Sequence, residues 1–449
     1  MPQSVEPQSV EPQSVEPQSV DAIVIGAGVI GAAVTFELSK RGIRALSIDR
    51  NAAAGYGSTS SSSACVRAHY SSREGVAMAY EGFSYWQDWA NYLGVEDERG
   101  TARYVNCGTV LLKSDDGQYR TSLEFYDALG VSYEDWDTDA LVEHVPYYDP
   151  HRFWPPSRPG DASFGEPPTA LLDGAIYTPG SGYMSDPALA THNLQRAAEA
   201  AGGQFLLRRQ VTEIRRNGRV LGVTLDNGDK IDAPVVVNVA GPHSAQVNRM
   251  AGVEQSMKIR TRPMRHEVHV VPGPPGVDLA ADGFHTADGD QGIYFRPEPG
   301  GTLLVGSEDP ACDPREWVDN PDQFNRTVTR AHWEAQVYRL ARRIPGLRVP
   351  SRMAGVADLY DVSDDWIPVY DSSDLPGYYM AVGTSGNQFK NAPVAGHVMA
   401  ELIMACESGR AHDTDPLQVV LPHTGHSLDL GFFSRNREVS TASSFGVNG

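Results

Sequence analysis

A mixed α/β fold is predicted, in which a parallel nucleotide-binding type of unit is interleaved with an antiparallel one. Three observations predict it. A strand, a glycine turn, a helix and a second strand ending in an acid follow one another near the N-terminus. Segments of the same strand-and-glycine character, one at 21–72, return at 185–250 and 350–406. Strand-rich stretches at 95–180 and 255–345 lie between them. A chain that leaves one kind of layer and returns to it twice builds discontinuous units.

The first run reads Asp21-Ala-Ile-Val-Ile-Gly26-Ala-Gly28-Val29-Ile30-Gly31. Ala22 to Ile25 is a short buried strand. A helix beginning near Val29 carries Ala33, Phe36 and Leu38 and stops at Gly42, and a second apolar strand from Arg44 to Ile48 ends in Asp49. This is the dinucleotide fingerprint in its required context. Gly26 makes the tight turn, Gly28 lets a pyrophosphate approach the backbone, and Gly31 lets helix and strand pack closely. The helix N-terminus faces the phosphates and Asp49 accepts from ribose hydroxyls. The segment therefore reads as a Rossmann-type unit binding an adenine dinucleotide. The alternative is an ordinary βαβ unit whose glycines serve only the turn.

With 449 residues the chain is long enough for two or three domains and a sizeable core. It is 41% hydrophobic and 21% charged, an ordinary globular balance. The net charge of −20 argues against nucleic acid or an anionic membrane as partner, so an anionic substrate must meet a local basic site. Cys65, Cys107, Cys312 and Cys406 are far apart, show no metal-ligand spacing, and as reduced thiols fit a cytoplasmic protein without a metal. The longest apolar run, 22–36, is too short for a membrane span, and no basic leader or twin arginine precedes it. Residues 2–20 repeat Pro-Gln-Ser-Val-Glu. They have too little apolar content to pack and are expected to be disordered, or at best extended.

Further along, 57–72 is a Ser-rich loop running into Arg67, His69 and Tyr70 that looks wrapped around a ligand. Helical spacing follows at 75–93 and a strand at 109–112. The Pro- and aromatic-rich stretch 146–170 is a long irregular excursion, either a lid or an interface. Asp186-Pro187 opens a helix, acid at the N-cap and proline at N1, that runs to Ala201 before Gly202-Gly203. Strands are expected at 204–207, 210–216 and 220–225. Pro234 to Val239 is a buried strand ending in the turn Ala240-Gly241-Pro242. Strand-rich sequence covers 258–310 and helical spacing covers 322–343. The strand 378–382 then leads through a glycine-rich loop to a helix from about Pro393 to Cys406.

With these motifs in place, the chain resembles the FAD-dependent oxidoreductases of the D-amino-acid oxidase group, and is most similar to the sarcosine oxidase and dimethylglycine dehydrogenase branch. The resemblance covers about 21–406. It is carried by the fingerprint at 26–31, Gly57-Ser58-Thr59, Gly182-Tyr183 with Asp186-Pro187, and Val235 to Ser244. It continues through Pro263-Met-Arg265-His266, Gly292-Ile-Tyr294-Phe-Arg296-Pro297, Gly301 to Gly306, and Gly383 to Pro393. It implies an FAD-binding domain from 21–95, 181–255 and 346–410, a mostly antiparallel substrate domain from 96–180 and 256–345, a leader at 1–20 and a tail at 411–449. FAD also fits the residues better than NAD does. The fingerprint is paired with a distant Ala240-Gly241-Pro242 turn and a C-terminal Gly-rich loop, which suit an extended group gripped from the whole chain.

The resemblance places FAD against Gly26, Gly28, Val29, Ile30, Gly31, Asp49, Arg50, Ser58, Thr59, Ser63, Ala64, Val211, Ala240, Gly241, Gly386, Asn387, Gln388, Phe389 and Lys390. By motif position Arg67 and Lys390 become two cations that fix a substrate carboxylate. For Arg67 the alternatives are an FAD phosphate contact or a surface ion pair; for Lys390, a surface position at a helix start. Tyr294 lines the substrate cavity or packs in the core, and His69 is a site residue or a structural histidine. Arg265 and Arg296 are further basic candidates near the cavity. Two departures bear on chemistry. Where relatives carry a lysine that assists oxygen reduction this chain has Leu304, and a nearby family histidine is Glu308. Two more concern attachment: the positions of covalent flavin links read Asp358 and Ser61, so FAD is expected to be non-covalent.

The function implied is flavin-dependent oxidation of a secondary or tertiary amine, an amino acid or N-methyl amino acid bearing a carboxylate, to an imine by hydride transfer to flavin N5. The expected partners are the small-molecule amine and O2 or an electron-transfer protein, with homo-oligomerisation open. The alternatives are oxidation of a larger natural-product amine or a 2-hydroxy acid, or a non-catalytic electron-relay subunit.

Overall fold

The computed structural model describes residues 19–447, so the repeat at 2–18 lies outside the described residues. None of the described helices is long and apolar enough to cross a membrane.

The first layer is a six-stranded sheet. Its order is Val369–Ser372, Tyr378–Val382, Val235–Asn238, Ala22–Ile25, Ala45–Asp49 and Gln204–Leu207, parallel except for the first pair. Ala22 sits opposite both Val235 and Ala45. Both faces are covered, as an apolar parallel sheet requires. Ala22, Val24 and Ala45 face the helices Val29–Lys40, Pro187–Ala200 and Ala392–Glu407. Ile23, Ile25, Leu46 and Ile48 face a three-stranded antiparallel sheet, 211–232, and the helix Ser244–Ala251. The alternation is the two-residue period of a strand. The first and last of those three helices cross closely, since a Cβ on Gly396 would stand 2.6 Å from the Ala33 carbonyl oxygen. Asp186 caps the middle one, accepting from the Leu189 N–H at 2.9 Å.

Val20, expected to be disordered with the repeat, instead belongs to this core. Its N–H donates to the Asp232 carbonyl at 3.0 Å and its side chain is buried.

The second layer is a nine-stranded sheet built around the long strand Thr261–Pro272, which pairs with Thr302–Ser307 at one end and with Gly355–Ser363 along most of its length. It is antiparallel with one exception, the parallel pair His285–Asp288 and Thr109–Leu112. Gly355–Ser363, expected among the nucleotide segments, is a strand of this sheet because its partner Thr261–Pro272 is. The helix expected over 322–343 starts only at Arg330, after Thr329, whose N–H and hydroxyl donate to Glu267, and the residues before it form a loop.

The excursion 146–170 packs away from the cavity. Arg339 Nε donates to the Ser157 carbonyl at 3.0 Å, and Asp290 accepts from the Phe153 N–H at 2.6 Å and pairs with Arg343 at 2.9 Å. None of its residues lines the cavity described below, so the lid expectation is corrected to an internal interface. The segment 411–449, expected as a separate tail, is anchored: Arg435 is buried between Asp371 at 3.0 Å and Asp413 at 2.7 Å.

Candidate active site

A cavity of about 360 Å3 runs between the two layers from the fingerprint to the C-terminal segment. Every residue that the sequence assigns to FAD lines it, and so do Arg67, His69 and Tyr294.

At the fingerprint end, Gly26 has φ +115°, and a Cβ there would overlap the Val239 carbonyl. A Cβ on Gly31 would overlap the Gly26 carbonyl oxygen. Gly28 has only Thr59 Oγ1, at 3.2 Å, within reach of such a Cβ. Gly26 and Gly31 thus serve the turn and the packing, and Gly28 leaves a bare backbone face towards the cavity, as a pyrophosphate needs. Asp49 is held by the Ala27 N–H at 2.8 Å and the Asn51 N–H at 2.7 Å, both donating to its carboxylate. Arg50 lines the same end and pairs with Asp322 at 2.6 Å; Asp322 also meets His243 at 3.0 Å. Pro321, Phe324 and Arg326 of that loop complete the wall. This glycine cradle, closed by residues from distant segments, fits FAD.

At the other end, Arg67 is 6% exposed and Lys390 is 2% exposed. The surface alternatives for both are thereby excluded. Arg67 donates to the carbonyls of His69 and Val447, and Lys390 Nζ donates to the Asn387 carbonyl at 2.6 Å. The two cations share one aromatic ring, lying 5.2 and 4.6 Å from the centre of Tyr70. Among the described residues neither pairs with a carboxylate. Burial, reinforced by the Arg67 charge, holds the Lys390 ammonium well below its ordinary range. A pair of desolvated cations without a counter-ion is costly for the ligand-free protein and suits an anionic ligand.

His69 keeps Nε2 buried without a partner, and burial followed by the Arg67 charge holds it neutral. Its ring stacks on His285 at 6.3 Å. Tyr294 bonds Ser63 Oγ at 2.8 Å, and sits opposite Gly306, whose missing Cβ leaves room for the phenol ring. Glu308 follows the same strand. Its carboxyl lies in the cavity without a hydrogen-bond partner, and burial pushes it up to about 8 despite the nearby Arg67 charge. In the Gly383–Lys390 loop, Asn387 Nδ2 is buried without a partner among the described residues.

Two candidates do not reach the cavity. Arg265 is buried between Glu267 at 2.6 Å and Glu316 at 2.7 Å. Arg296 pairs with Glu298 at 2.6 Å, stacks on Tyr183 at 4.1 Å and donates to the Ser63 carbonyl at 2.6 Å. Both are structural ions. The cavity residues not anticipated as site residues include His266, His285, Tyr360 and Val447. They come from strands and a tail whose neighbours in space are far apart in sequence, and no local pattern marks them.

Residues 21–402 match the family described as FAD dependent oxidoreductase, DAO. The bovine protein described as FAD-dependent oxidoreductase domain-containing protein 1 is 31% identical over 220 residues, which is 46% of this chain and 42% of that protein. Glycine oxidase of Geobacillus kaustophilus (strain HTA426) is 27% identical over 265 residues, 58% of this chain and 64% of its own. The match thus spans less than half the length of the first relative and under two thirds of the second. The fold is that of the crystal structure of L-proline dehydrogenase from P. horikoshii, with a TM-score of 0.73 at 20% identity over 93% of this chain and 97% of that one. With its fingerprint, its glycine cradle and a family match over most of its length, the chain belongs to the DAO family of FAD-dependent oxidoreductases.

Proposed function

We propose that the chain oxidises a carboxylate-bearing amine, an amino acid or an N-methyl amino acid, to the imine that water then hydrolyses. The observation that carries this reading is the buried pair Arg67 and Lys390 over Tyr70, two basic groups that form no ion pair among the described residues, in a cavity continuous with the cofactor cradle. The related proteins named glycine oxidase and L-proline dehydrogenase support the substrate class.

FAD, when bound, supplies the two-electron acceptor. The glycine cradle and Asp49 would hold its nucleotide, and the Gly386 to Phe389 backbone would hold the flavin. Arg67 and Lys390 bind the substrate carboxylate, Arg67 through a planar fork and Lys390 as a point charge. Val447 and His69 fix the Arg67 guanidinium by accepting two of its N–H groups. Tyr294, neutral because burial raises its phenol, and the neutral His69 and His285 form a polar wall that adds no competing charge. Enclosure excludes water and orients the substrate carbon. Leu304 packs with Val268 and Tyr294 in place of a lysine, which favours slow reaction with O2 and an electron-transfer acceptor.

Anaerobic mixing of the FAD-loaded protein with sarcosine, L-proline and glycine tests the reading. Bleaching of the oxidised flavin band, at about 450 nm, by at least one of them is expected. Normal FAD content with no bleaching by any amine would remove amine oxidation and leave an electron-relay role.

A further inference from the structure

Among the described residues, Glu308 is the one acidic group at the cation end of the cavity that no other residue claims. Its backbone is fixed: its N–H donates to the Gly292 carbonyl at 3.0 Å, just past the pairing of Tyr294 with Gly306. The next residue, Asp309, adopts φ +58°, its N–H donating to Ser307 Oγ at 3.0 Å and its carboxylate meeting His266 at 3.0 Å. This turn leaves Asp309 to His266 and the Glu308 side chain to the cavity. The carboxyl has no hydrogen-bond partner among the described residues, although Arg67 lines the same cavity and makes no ion pair with it. The cavity therefore presents an unpaired acid and two unpaired cations to whatever enters.

That arrangement matches a zwitterion. Resting on the amine-oxidation reading, we infer that Glu308 receives the ammonium group of a substrate whose carboxylate lies on Arg67 and Lys390, and takes its proton. The N–H bond breaks and an O–H bond forms on Glu308, leaving the lone pair on a neutral amine; no electron is transferred in this step. The cavity then selects zwitterionic amino acids over 2-hydroxy acids, which offer no ammonium, because an unpaired buried acid is costly.

The charged groups acting on Glu308 are Arg67, which favours its carboxylate, and Asp116, Asp288 and Asp309, which oppose it, while burial opposes it most. His285 and His69, which line the same cavity, are neutral. A base raised into this range is closer to an ammonium in proton affinity than an ordinary carboxylate is, which eases the transfer.

The test uses FAD-loaded protein and its Glu308→Gln variant. Two non-reacting probes, trimethylglycine and tert-butylacetate, the isostere in which an uncharged carbon replaces the quaternary nitrogen, are titrated by their perturbation of the flavin spectrum. Above about pH 8 the parent should prefer trimethylglycine by about tenfold, and Glu308→Gln should lose that preference while binding tert-butylacetate as before. The rate of flavin reduction by L-proline should rise with pH in the parent, and Glu308→Gln should be slow and lack that rise. Glu308→Asp should restore part of both. Equal preference for the two probes in the parent, or reduction of Glu308→Gln by L-proline with the parent's rate and pH profile, overturns the assignment of Glu308 alone. Failure of every amine to reduce the parent overturns this inference and the amine-oxidation reading together.

Discussion

Ser61 Oγ donates to Asp358 Oδ2 at 2.8 Å across the cofactor cavity, joining the ends of two segments 297 residues apart. These are the positions at which the family resemblance would put the side chains that attach flavin covalently. Here they bond each other, and neither is the cysteine or histidine that makes the link in relatives. All of the flavin should therefore leave the protein on acid precipitation. A yellow, fluorescent pellet would overturn this, and the linked peptide would then be sought first around Cys65, a thiol at the cavity wall.

The three fingerprint glycines should not be equivalent. A Cβ at Gly31 overlaps a backbone oxygen that cannot move, whereas at Gly28 it meets only the Thr59 hydroxyl. Gly31→Ala is expected to fail to accumulate as folded protein. Gly28→Ala should fold with unchanged circular dichroism but bind FAD more weakly. Normal FAD affinity of Gly28→Ala, measured by fluorescence titration of the apoprotein, would mean that the pyrophosphate lies elsewhere.

Arg67→Ala and Lys390→Ala should each weaken carboxylate binding by roughly 2–4 kcal/mol while FAD stays bound. Because both cations lie on Tyr70, the double variant should lose less than the sum. Lys390→Met should also raise the melting temperature of the ligand-free protein, since it removes a buried amine whose charged form burial disfavours and which no carboxylate among the described residues pairs with. Michaelis constants unchanged in both alanine variants would dismantle the clamp.

Glu308 should leave a pH signature on stability. Its carboxyl is held at about 8 in the folded protein, above its unfolded value, so the folded state binds the extra proton. The contribution is fully present below the unfolded pKa and is lost as pH rises through about 8. Glu308→Gln should therefore raise the melting temperature above that pH and have little effect in mild acid. Parallel melting curves for parent and variant across this window would contradict the assignment.

The C-terminal segment should matter to binding although it is remote in sequence. Deleting the residues from Phe445 onwards removes the Val447 carbonyl that orients Arg67. The apparent affinity for amino-acid substrates is expected to fall about tenfold with FAD content unchanged. Unchanged affinity would show that His69 alone fixes the guanidinium.

What was legible in the sequence was local. Gly26 to Asp49 could be read because backbone conformation and spacing determine that unit, and Arg67 and Lys390 because motif spacing survives divergence. Arg265 and Arg296 were misplaced, yet a signal existed. Glu267 and Glu298 each lie two residues on, which on a strand is the same face, and each pairs with its arginine. The environment of Glu308, the stacking of His285 on His69 and the approach of Val447 were not legible. They depend on which distant strands pair, and nothing near those residues encodes that. The strand Gly355–Ser363 was assigned to the wrong layer for the same reason, since its partner lies about ninety residues earlier.

The six-stranded sheet takes its first full strand at Ala22 and its last at Val382, and the cavity it helps to form is not closed until Val447. During synthesis, then, the strand Tyr378–Val382 must emerge from the ribosome before the cradle at the N-terminus has its partners. Products terminated before that strand should be colourless, because the cradle would lack the backbone that closes it.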